Sequence, residues 1–260
     1  MSGLLRRSRE LPRAHRSIMK FSNVGSKRVE AEPGLVGVCP ACSAVTIAKC
    51  GRKRIWHWAH KASSVCDRWW EPETEWHRNW KSEFPDDWQE VVTTDKTGER
   101  HIADVRTPNG VTIEFQHSPI SYDERLSREM HYNNLIWVVD GLRLKRDYSR
   151  YSHVYNGLRH TSEGQIVLMY AHPSVSFPED WAFAAVPLIM DFGHFGLVCL
   201  WPRSIENMRF HFRLSRSNFV DVLLRKAGLI DEELLRWNVK YYLEKFPFSH
   251  RSIPVSVFDY

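Results

Sequence analysis

Two acidic residues, Asp104 and Glu114, lie in short segments whose alternating polar and apolar residues are typical of β-strands. The Thr-Pro-Asn-Gly sequence at residues 107–110 predicts a hairpin turn between them. Such a hairpin places the two carboxylates side by side, and Gln116 shares the face of Glu114 because alternate residues of a strand point the same way. Adjacent carboxylates are hard oxygen ligands that suit Mg2+ or Mn2+. The same spacing is also compatible with a surface hairpin that carries two solvated acids.

A second group of candidate metal ligands lies upstream of the acidic pair. It consists of a Cys-x-x-Cys pair, two histidines and a further cysteine: Cys39, Cys42, His57, His60 and Cys66. Thiolates and imidazoles at such spacings are typical of a tetrahedral structural Zn2+ site. A turn near Gly51 predicts that residues 45–58 form a zinc-ribbon-like hairpin. Because His57 and His60 would face opposite sides of a strand, we expect only one of them to bind the ion with Cys66. The alternative is a reduced Cys-x-x-Cys pair with ordinary core histidines.

A third group of polar residues lies on a helix predicted over residues 73–84. Glu73, His77 and Lys81 recur every four residues, so they share one face of that helix. We expect this face to point toward the hairpin. Glu75 lies roughly opposite His77 and is the alternative carboxylate to Glu73. Lys81 would add a positive charge to this face. The alternative is a solvated helix with surface ion pairs.

The elements that position these groups follow in a regular order. After the helix, residues 89–94 predict a strand, residues 100–116 predict the hairpin, and residues 135–139 predict a buried strand. A further helix over residues 121–134 begins with the capping-box pattern at Ser121. The resulting order of helix, three strands, helix and strand predicts an α/β fold around a central sheet.

Several motifs together carry a resemblance to a known family. They lie at residues 57–60, 73–77 with Lys81, 100–105, 113–121, 128–132 and 137–140. In order and spacing they resemble the competence protein CoiA-like nucleases of the PD-(D/E)XK nuclease superfamily, over residues 36–145. The resemblance implies a PD-(D/E)XK nuclease-like core, a mixed central sheet flanked by helices, preceded by a small zinc-ribbon-like knuckle.

The resemblance also implies roles for individual residues. Asp104 and Glu114 would hold the catalytic Mg2+ or Mn2+. Gln116 stands where many members of the superfamily carry a lysine, although CoiA-like sequences themselves resemble carriers of glutamine there. Arg128, Tyr132 and His117 would orient Gln116 or contact the phosphates of bound nucleic acid.

The function implied is that of a Mg2+- or Mn2+-dependent deoxyribonuclease that processes incoming or phage DNA. A rival hypothesis is a non-catalytic nucleic-acid-binding protein with a zinc knuckle and a degenerate nuclease fold. A third is a subunit whose residues 151–260 bind a protein partner.

Composition agrees with a polyanionic partner, since the 260-residue chain has a net charge of +5 and a pI of about 9.0. We expect four segments: a basic, flexible arm at 1–30, a zinc-knuckle-like segment at 31–70, the nuclease-like core at 71–150 and a C-terminal α/β extension at 151–260. In that extension residues 166–170, 183–190 and 196–200 predict strands, and residues 218–226 and 231–244 predict helices. No stretch resembles a signal peptide or a membrane span, so we expect a cytoplasmic protein without membrane contacts.

Overall fold

The computed structural model describes residues 18–62, 66–69, 71–157, 166–169, 176–202 and 209–224. The chain divides into two compact units. The first unit comprises residues 1–75 and 92–102, and the second comprises residues 76–91 and 103–260. None of the described helices is long and apolar enough to cross a membrane.

The first unit contains a six-stranded sheet. Its strands are β1 (Ile18–Met19), β2 (Phe21–Val24), β3 (Lys27–Glu30), β4 (Val36–Val38), β5 (Val45–Lys49) and β6 (His57–His60). Their order in the sheet is β1-β6-β5-β4-β2-β3, and each neighbouring pair is antiparallel. The predicted hairpin is confirmed, because β5 pairs with β6.

The prediction of a flexible arm over residues 1–30 is wrong for residues 18–30, which form the first three strands. Gly25 makes the tight turn between β2 and β3 with a φ of +60°, which favours glycine. These strands are short and partly basic, so they lack the apolar alternation by which a strand is recognised in a sequence. Residues 1–17 lie outside the described residues.

The interior of this unit combines an apolar cluster with a buried hydroxyl pair. Trp58 is fully buried among Met19 and Cys39, and its indole N–H donates to the carbonyl oxygen of Val29 at 3.0 Å. The Ser22 hydroxyl donates to the Val38 carbonyl at 2.9 Å and lies 2.6 Å from the Thr46 hydroxyl. This pairing brings β2, β4 and β5 close together.

The second unit is built around an eight-stranded sheet, and its first half follows the predicted order. The elements are α1 (Glu75–Lys81), β7 (Gln89–Thr94), β8 (Arg100–Arg106), β9 (Thr112–Gln116), α2 (Tyr122–His131) and β10 (Leu135–Asp140). Strands β7 and β8 each contain residues of both units. The Ser121 hydroxyl accepts a hydrogen bond from the Glu124 amide at 3.1 Å, which confirms the predicted cap of α2.

The chain continues through further strands and helices. They are α3 (Lys145–Gly157), β11 (Ile166–Met169), α4 (Glu179–Ala182), β12 (Leu188–Asp191), β13 (Leu197–Leu200), β14 (Arg209–Leu214) and α5 (Arg216–Leu224). The sheet order is β11-β14-β13-β12-β10-β9-β8-β7, in which β9, β10 and β12 run parallel. The strand predicted over 183–190 was too long, since it begins at Leu188 after α4. The helix predicted over residues 231–244 lies outside the described residues.

Helix α1 differs from its prediction at both ends. It begins at Glu75 and ends at Lys81, so Glu73 lies before it, within the first unit, and does not share a helical face with His77. Two indoles fix the helix in the second unit, because Trp76 and Trp80 each donate to Asp191 Oδ2 at 2.9 Å. Trp80 also stacks on Phe115 at a centroid distance of 5.6 Å.

Gly37 provides a test of the packing in the first unit. A Cβ added there would lie 2.8 Å from Ser22 Oγ and 2.9 Å from the Asn23 carbonyl oxygen, whereas one added at Gly51 would meet nothing within 4 Å. We therefore expect Gly37→Ala to lower the free energy of unfolding by about 1–3 kcal/mol and Gly51→Ala to change it by less than about 0.5 kcal/mol. Chemical denaturation followed by circular dichroism measures both. Equal stability of the two variants would contradict this packing.

Candidate functional site

The structure brings Asp104 and Glu114 together at the open end of the β8–β9 hairpin. The strands pair at Val105 with Ile113 and at Arg106 with Thr112, which aligns Asp104 with Glu114 one step further on. There each carboxylate accepts a hydrogen bond from a main-chain amide of the opposite strand. The Phe115 amide donates to Asp104 Oδ2 at 3.0 Å, and the Asp104 amide donates to Glu114 Oε1 at 3.3 Å.

The two acids differ in their access to solvent. The side chain of Asp104 is 22% exposed and that of Glu114 is 5% exposed. Between and beside them Val105, Ile113 and Phe115 enter the apolar core of the second unit. The alternation that predicted the hairpin therefore separates a core face from a polar face, and both carboxylates belong to the polar face.

Lys81 supplies a cation beside Asp104. Its Nζ lies 3.2 Å from Asp104 Oδ1 and 3.1 Å from Glu90 Oε1. The prediction that Lys81 faces the hairpin is confirmed. The alternative of a solvated helix face is wrong for this residue, because its side chain is only 5% exposed. Burial of this ammonium is compensated by two carboxylates.

Glu90 is a site residue that the sequence did not identify. It is 7% exposed and adopts a left-handed φ of +45°, which is uncommon for a residue other than glycine. Strain of this kind concentrates at functional sites. Its only sequence signal is an acid at the start of the apolar Val91-Val92 stretch, and that signal has no characteristic spacing to the other acids.

His77 and Arg128 hold the site from two sides. His77 Nε2 lies 3.1 Å from the Phe115 carbonyl oxygen, so the imidazole connects α1 to β9. Arg128 Nη1 lies 3.2 Å from Glu114 Oε2, and Arg128 also contacts Glu124. Burial lowers the pKa of the Arg128 guanidinium, but the adjacent Glu114 and Glu124 outweigh it and raise that pKa above its usual value. Arg128 thus positions Glu114.

The remaining predicted residues lie beyond the carboxylate pair. Gln116 is 3% exposed and its Nε2 donates to the Ser118 carbonyl at 3.0 Å. Tyr132 is 3% exposed at the end of α2. His117 Nδ1 lies 2.8 Å from Asp140 Oδ2, and these two residues line a cavity of about 280 Å³. The cavity lies at the carboxyl ends of the parallel strands β9 and β10.

The structure selects four of the five candidate zinc ligands. The ligand atoms of Cys39, Cys42, His60 and Cys66 all lie within 4.8 Å of one another. Cys42 Sγ lies 3.3 Å from His60 Nε2, and Cys39 Sγ lies 3.9 Å from Cys66 Sγ. His57 is turned away, with its Nδ1 2.7 Å from the Ile55 carbonyl oxygen, which confirms that only one histidine joins the cluster.

The chemistry of this donor set fits Zn2+, because three sulfur atoms and one imidazole nitrogen complete a tetrahedral structural site. Hydrogen bonding from Cys66 lowers the pKa of Cys39 to about 5, and the same contact raises the pKa of Cys66. Burial raises the pKa of Cys42. A bound metal ion would displace the protons that remain on these thiols.

Asp67 anchors the segment that follows Cys66. Its Oδ1 accepts hydrogen bonds from His101 Nδ1 and the Trp69 amide at 2.9 Å, and its Oδ2 accepts one from the Ile102 amide at 2.8 Å. Burial raises the pKa of Asp67, but these donors outweigh it and hold that pKa below its usual value. The fourth cysteine of the cluster is therefore tied to β8.

The comparison with protein-family models gives a match to part of the chain. Residues 38–68 match the family model for the N-terminal domain of the competence protein CoiA. The matched segment contains all four residues of the cysteine and histidine cluster. The resemblance to the CoiA-like family is confirmed over these residues. Neither the comparison with curated proteins nor the comparison with solved structures found a match.

The cluster leads to a direct prediction about metal content. Protein purified without added metal should contain about one zinc ion per chain, and His60→Gln or Cys42→Ser should remove most of it. His57→Gln is the matched control, because His57 lies on the same strand but outside the cluster. Elemental analysis of each purified variant measures the zinc. Equal zinc loss in His57→Gln, or a folded wild-type protein without zinc, would contradict the assignment.

Proposed function

We propose that the second unit is a metal-dependent nuclease, with a core of the PD-(D/E)XK type, that hydrolyses phosphodiester bonds in DNA. The observation that carries this proposal is the carboxylate pair of Asp104 and Glu114, cross-bonded at the open end of one hairpin. Lys81 lies beside it as a buried cation. A nuclease of this kind uses carboxylates to hold a metal ion that activates water, with positive charge near the scissile phosphate.

The arrangement of secondary structure supports the proposed core. Helix α1 precedes three consecutive strands, and helix α2 then connects β9 to the parallel strand β10. This order is the one that the resemblance implied. The acids lie on the two central strands of this segment, and α1 and α2 contribute the two basic residues that bind them.

The residues present fit a hard divalent cation. Asp104 and Glu114 offer carboxylate oxygens, and no third Cys, His, Asp or Glu ligand atom joins them among the residues that the structure describes. Mg2+ is commonly bound by one or two carboxylates, with water and substrate phosphate oxygens as its other ligands. When bound, the ion would activate water and neutralise charge on the phosphate.

The chain's own residues would then act as positioning and charge-balancing groups. Arg128 orients the Glu114 carboxylate, and His77 fixes the β9 backbone next to it. Lys81 places a positive charge near Asp104. This charge would compensate for the uncharged side chain of Gln116, at a position where many superfamily members carry a lysine. During attack on phosphorus negative charge accumulates on the phosphate oxygens, and a nearby fixed ammonium stabilises that charge.

DNA is the substrate that the matched segment favours. The matched family model describes a domain of a competence protein, and the CoiA-like resemblance implies that the substrate is DNA. The net charge of +5 agrees with a polyanionic substrate. Processing of incoming or phage DNA is the biological role we assign on this basis.

The first test concerns the carboxylate pair. Asp104→Asn preserves an acceptor for the Phe115 amide but removes a charged metal ligand. We expect the cleavage rate to fall by at least about 100-fold, because losing a direct metal ligand costs at least as much as losing a residue that only orients a ligand. Binding to DNA should change little. Asp123→Asn is the control, since Asp123 is an exposed acid on α2. Cleavage of single- and double-stranded DNA with Mg2+ or Mn2+ is the measurement.

A wild-type rate in Asp104→Asn would place the active site elsewhere. If the folded, zinc-containing wild-type protein binds DNA and cuts neither form with either metal, the proposed nuclease is rejected. The non-catalytic nucleic-acid-binding protein would then be the better description.

The second test separates the two roles of Lys81. Lys81→Met leaves Asp104 and Glu90 without their buried cation, so the free energy of unfolding should fall by about 3 kcal/mol. Cleavage should also be lost. The double variant Lys81→Met/Glu90→Gln removes one of the uncompensated charges and should recover much of the stability but none of the cleavage. Recovery of cleavage together with stability would show that Lys81 is only structural.

A further inference from the structure

The loop that connects β5 to β6 has features that neither the fold nor the proposed catalytic site uses. Pairing of the two strands ends where Lys49 lies opposite His57, and residues 50–56 form the loop beyond that point. Arg52, Lys53 and Arg54 are consecutive and exposed. We refer to residues 50–56 as the basic loop.

The charge around the basic loop has one sign. Residues 33–66 contain no aspartate or glutamate, and their cations are Lys49, Arg52, Lys53, Arg54 and Lys61. Within the described part of the chain, the three consecutive cations of the loop form no ion pair or hydrogen bond. Three uncompensated cations on one short loop create a local positive potential that attracts polyanions.

An exposed indole adjoins these cations. Trp56 is 48% exposed, whereas Trp58, two residues further along, is fully buried in the core of the first unit. The core therefore uses one indole and leaves much of the other in solvent. An exposed aromatic ring among cations is the combination by which proteins hold single-stranded nucleic acid, because bases stack on the ring while cations contact the backbone phosphates.

The base of the loop is held in place by the cysteine and histidine cluster and by a hydrogen bond. His60, a member of the cluster, lies on β6, and β6 begins immediately after Trp56. The His57 ring lies 2.7 Å from the Ile55 carbonyl oxygen and fixes the returning end of the loop. A fixed base lowers the entropy that the loop loses when it binds a ligand.

We infer that the basic loop is a binding site for single-stranded nucleic acid, in which Trp56 stacks on a base and Arg52, Lys53 and Arg54 contact phosphates. This site lies within the first unit and does not depend on the carboxylate pair of the second unit. It goes beyond the proposed nuclease, because it binds the polymer without acting on it. Stacking and phosphate contacts do not read the base sequence, so binding is general in sequence.

The test measures binding in a full-length background that carries Asp104→Asn. The probe is a fluorescein-labelled single-stranded DNA of about 20 nucleotides, which exceeds common site sizes, followed by fluorescence anisotropy at several salt concentrations. The loop variant is Arg52→Ala/Lys53→Ala/Arg54→Ala. The matched control is Lys27→Ala/Lys96→Ala/Lys145→Ala, which removes the same charge from three scattered, exposed lysines. Elemental zinc and circular dichroism establish that every variant is folded.

The loop variant should bind at least about 10-fold more weakly than the control at intermediate salt. Its slope of log affinity against log salt concentration should be smaller in magnitude by about 2, because each phosphate contact in a single strand contributes about 0.7. The control should remain within about 3-fold of the parent protein, since isolated exposed lysines contribute only long-range charge that salt screens. Equal affinities of the loop variant and the control would overturn the inference.

Trp56 gives an independent readout of stacking. Trp56→Ala should weaken binding by about 5- to 100-fold, and Trp56→Phe should retain most of the affinity because it preserves an aromatic face. Unchanged affinity in Trp56→Ala, or tighter binding of duplex than of single-stranded DNA, would overturn the inference, because stacking requires unpaired bases. Single-stranded RNA of the same sequence should bind through the same residues, since neither contact involves the sugar.

The outcomes separate this inference from the proposed nuclease. A wild-type protein that binds single strands through the loop but never cuts DNA rejects the nuclease and supports the loop site. If the wild-type protein cuts DNA, and the Asp104→Asn background binds oligonucleotides independently of the loop, the nuclease is supported and the loop site is rejected. A folded, zinc-containing protein that binds neither single-stranded DNA nor RNA also overturns the loop site, and an acidic protein partner would then suit the loop better.

Discussion

The candidate site depends on an exchange of hydrogen bonds between two strands. At the open end of the β8–β9 hairpin, the amides of Asp104 and Phe115 donate to carboxylates of the opposite strand. The strands remain joined, and two negative charges are fixed at one point. Each charge has its own buried cation, Lys81 for Asp104 and Arg128 for Glu114. Lys81 also binds Glu90 and Arg128 also contacts Glu124, so these groups form one connected network of charges.

The position of Lys81 depends in turn on how α1 is attached. Two indoles of α1 donate to the single carboxylate of Asp191, at the end of β12, and Trp80 packs on Phe115 of β9. One side of the helix thus serves stability, and another presents His77 and Lys81 to the hairpin. The aromatic residues around α1 are explained by this attachment, whereas Trp56 is 48% exposed.

Local patterns in the sequence predicted much of this arrangement. Alternation and turn residues predicted the β8–β9 hairpin, and a capping residue predicted α2, because these signals act over a few residues. Cysteine spacing predicted the cluster, but only the fold of β6 distinguishes His60 from His57. Glu90 was missed because its contact with Lys81 depends on the packing of α1 against β7, which no periodicity encodes. Helical periodicity placed Lys81 on the face toward the hairpin, but its burial depends on the same tertiary packing.

The most direct measurement of the central claim is the binding of Mn2+ to the carboxylate pair, followed by electron paramagnetic resonance of the free ion in the absence of DNA. The zinc-loaded wild-type protein should bind about one Mn2+ with weak affinity, as expected for a site with two carboxylates and several waters. Asp104→Asn should lose this binding, and Asp123→Asn should retain it. If the wild-type protein binds no Mn2+, or if Asp104→Asn binds it equally well, Asp104 and Glu114 do not form a metal site.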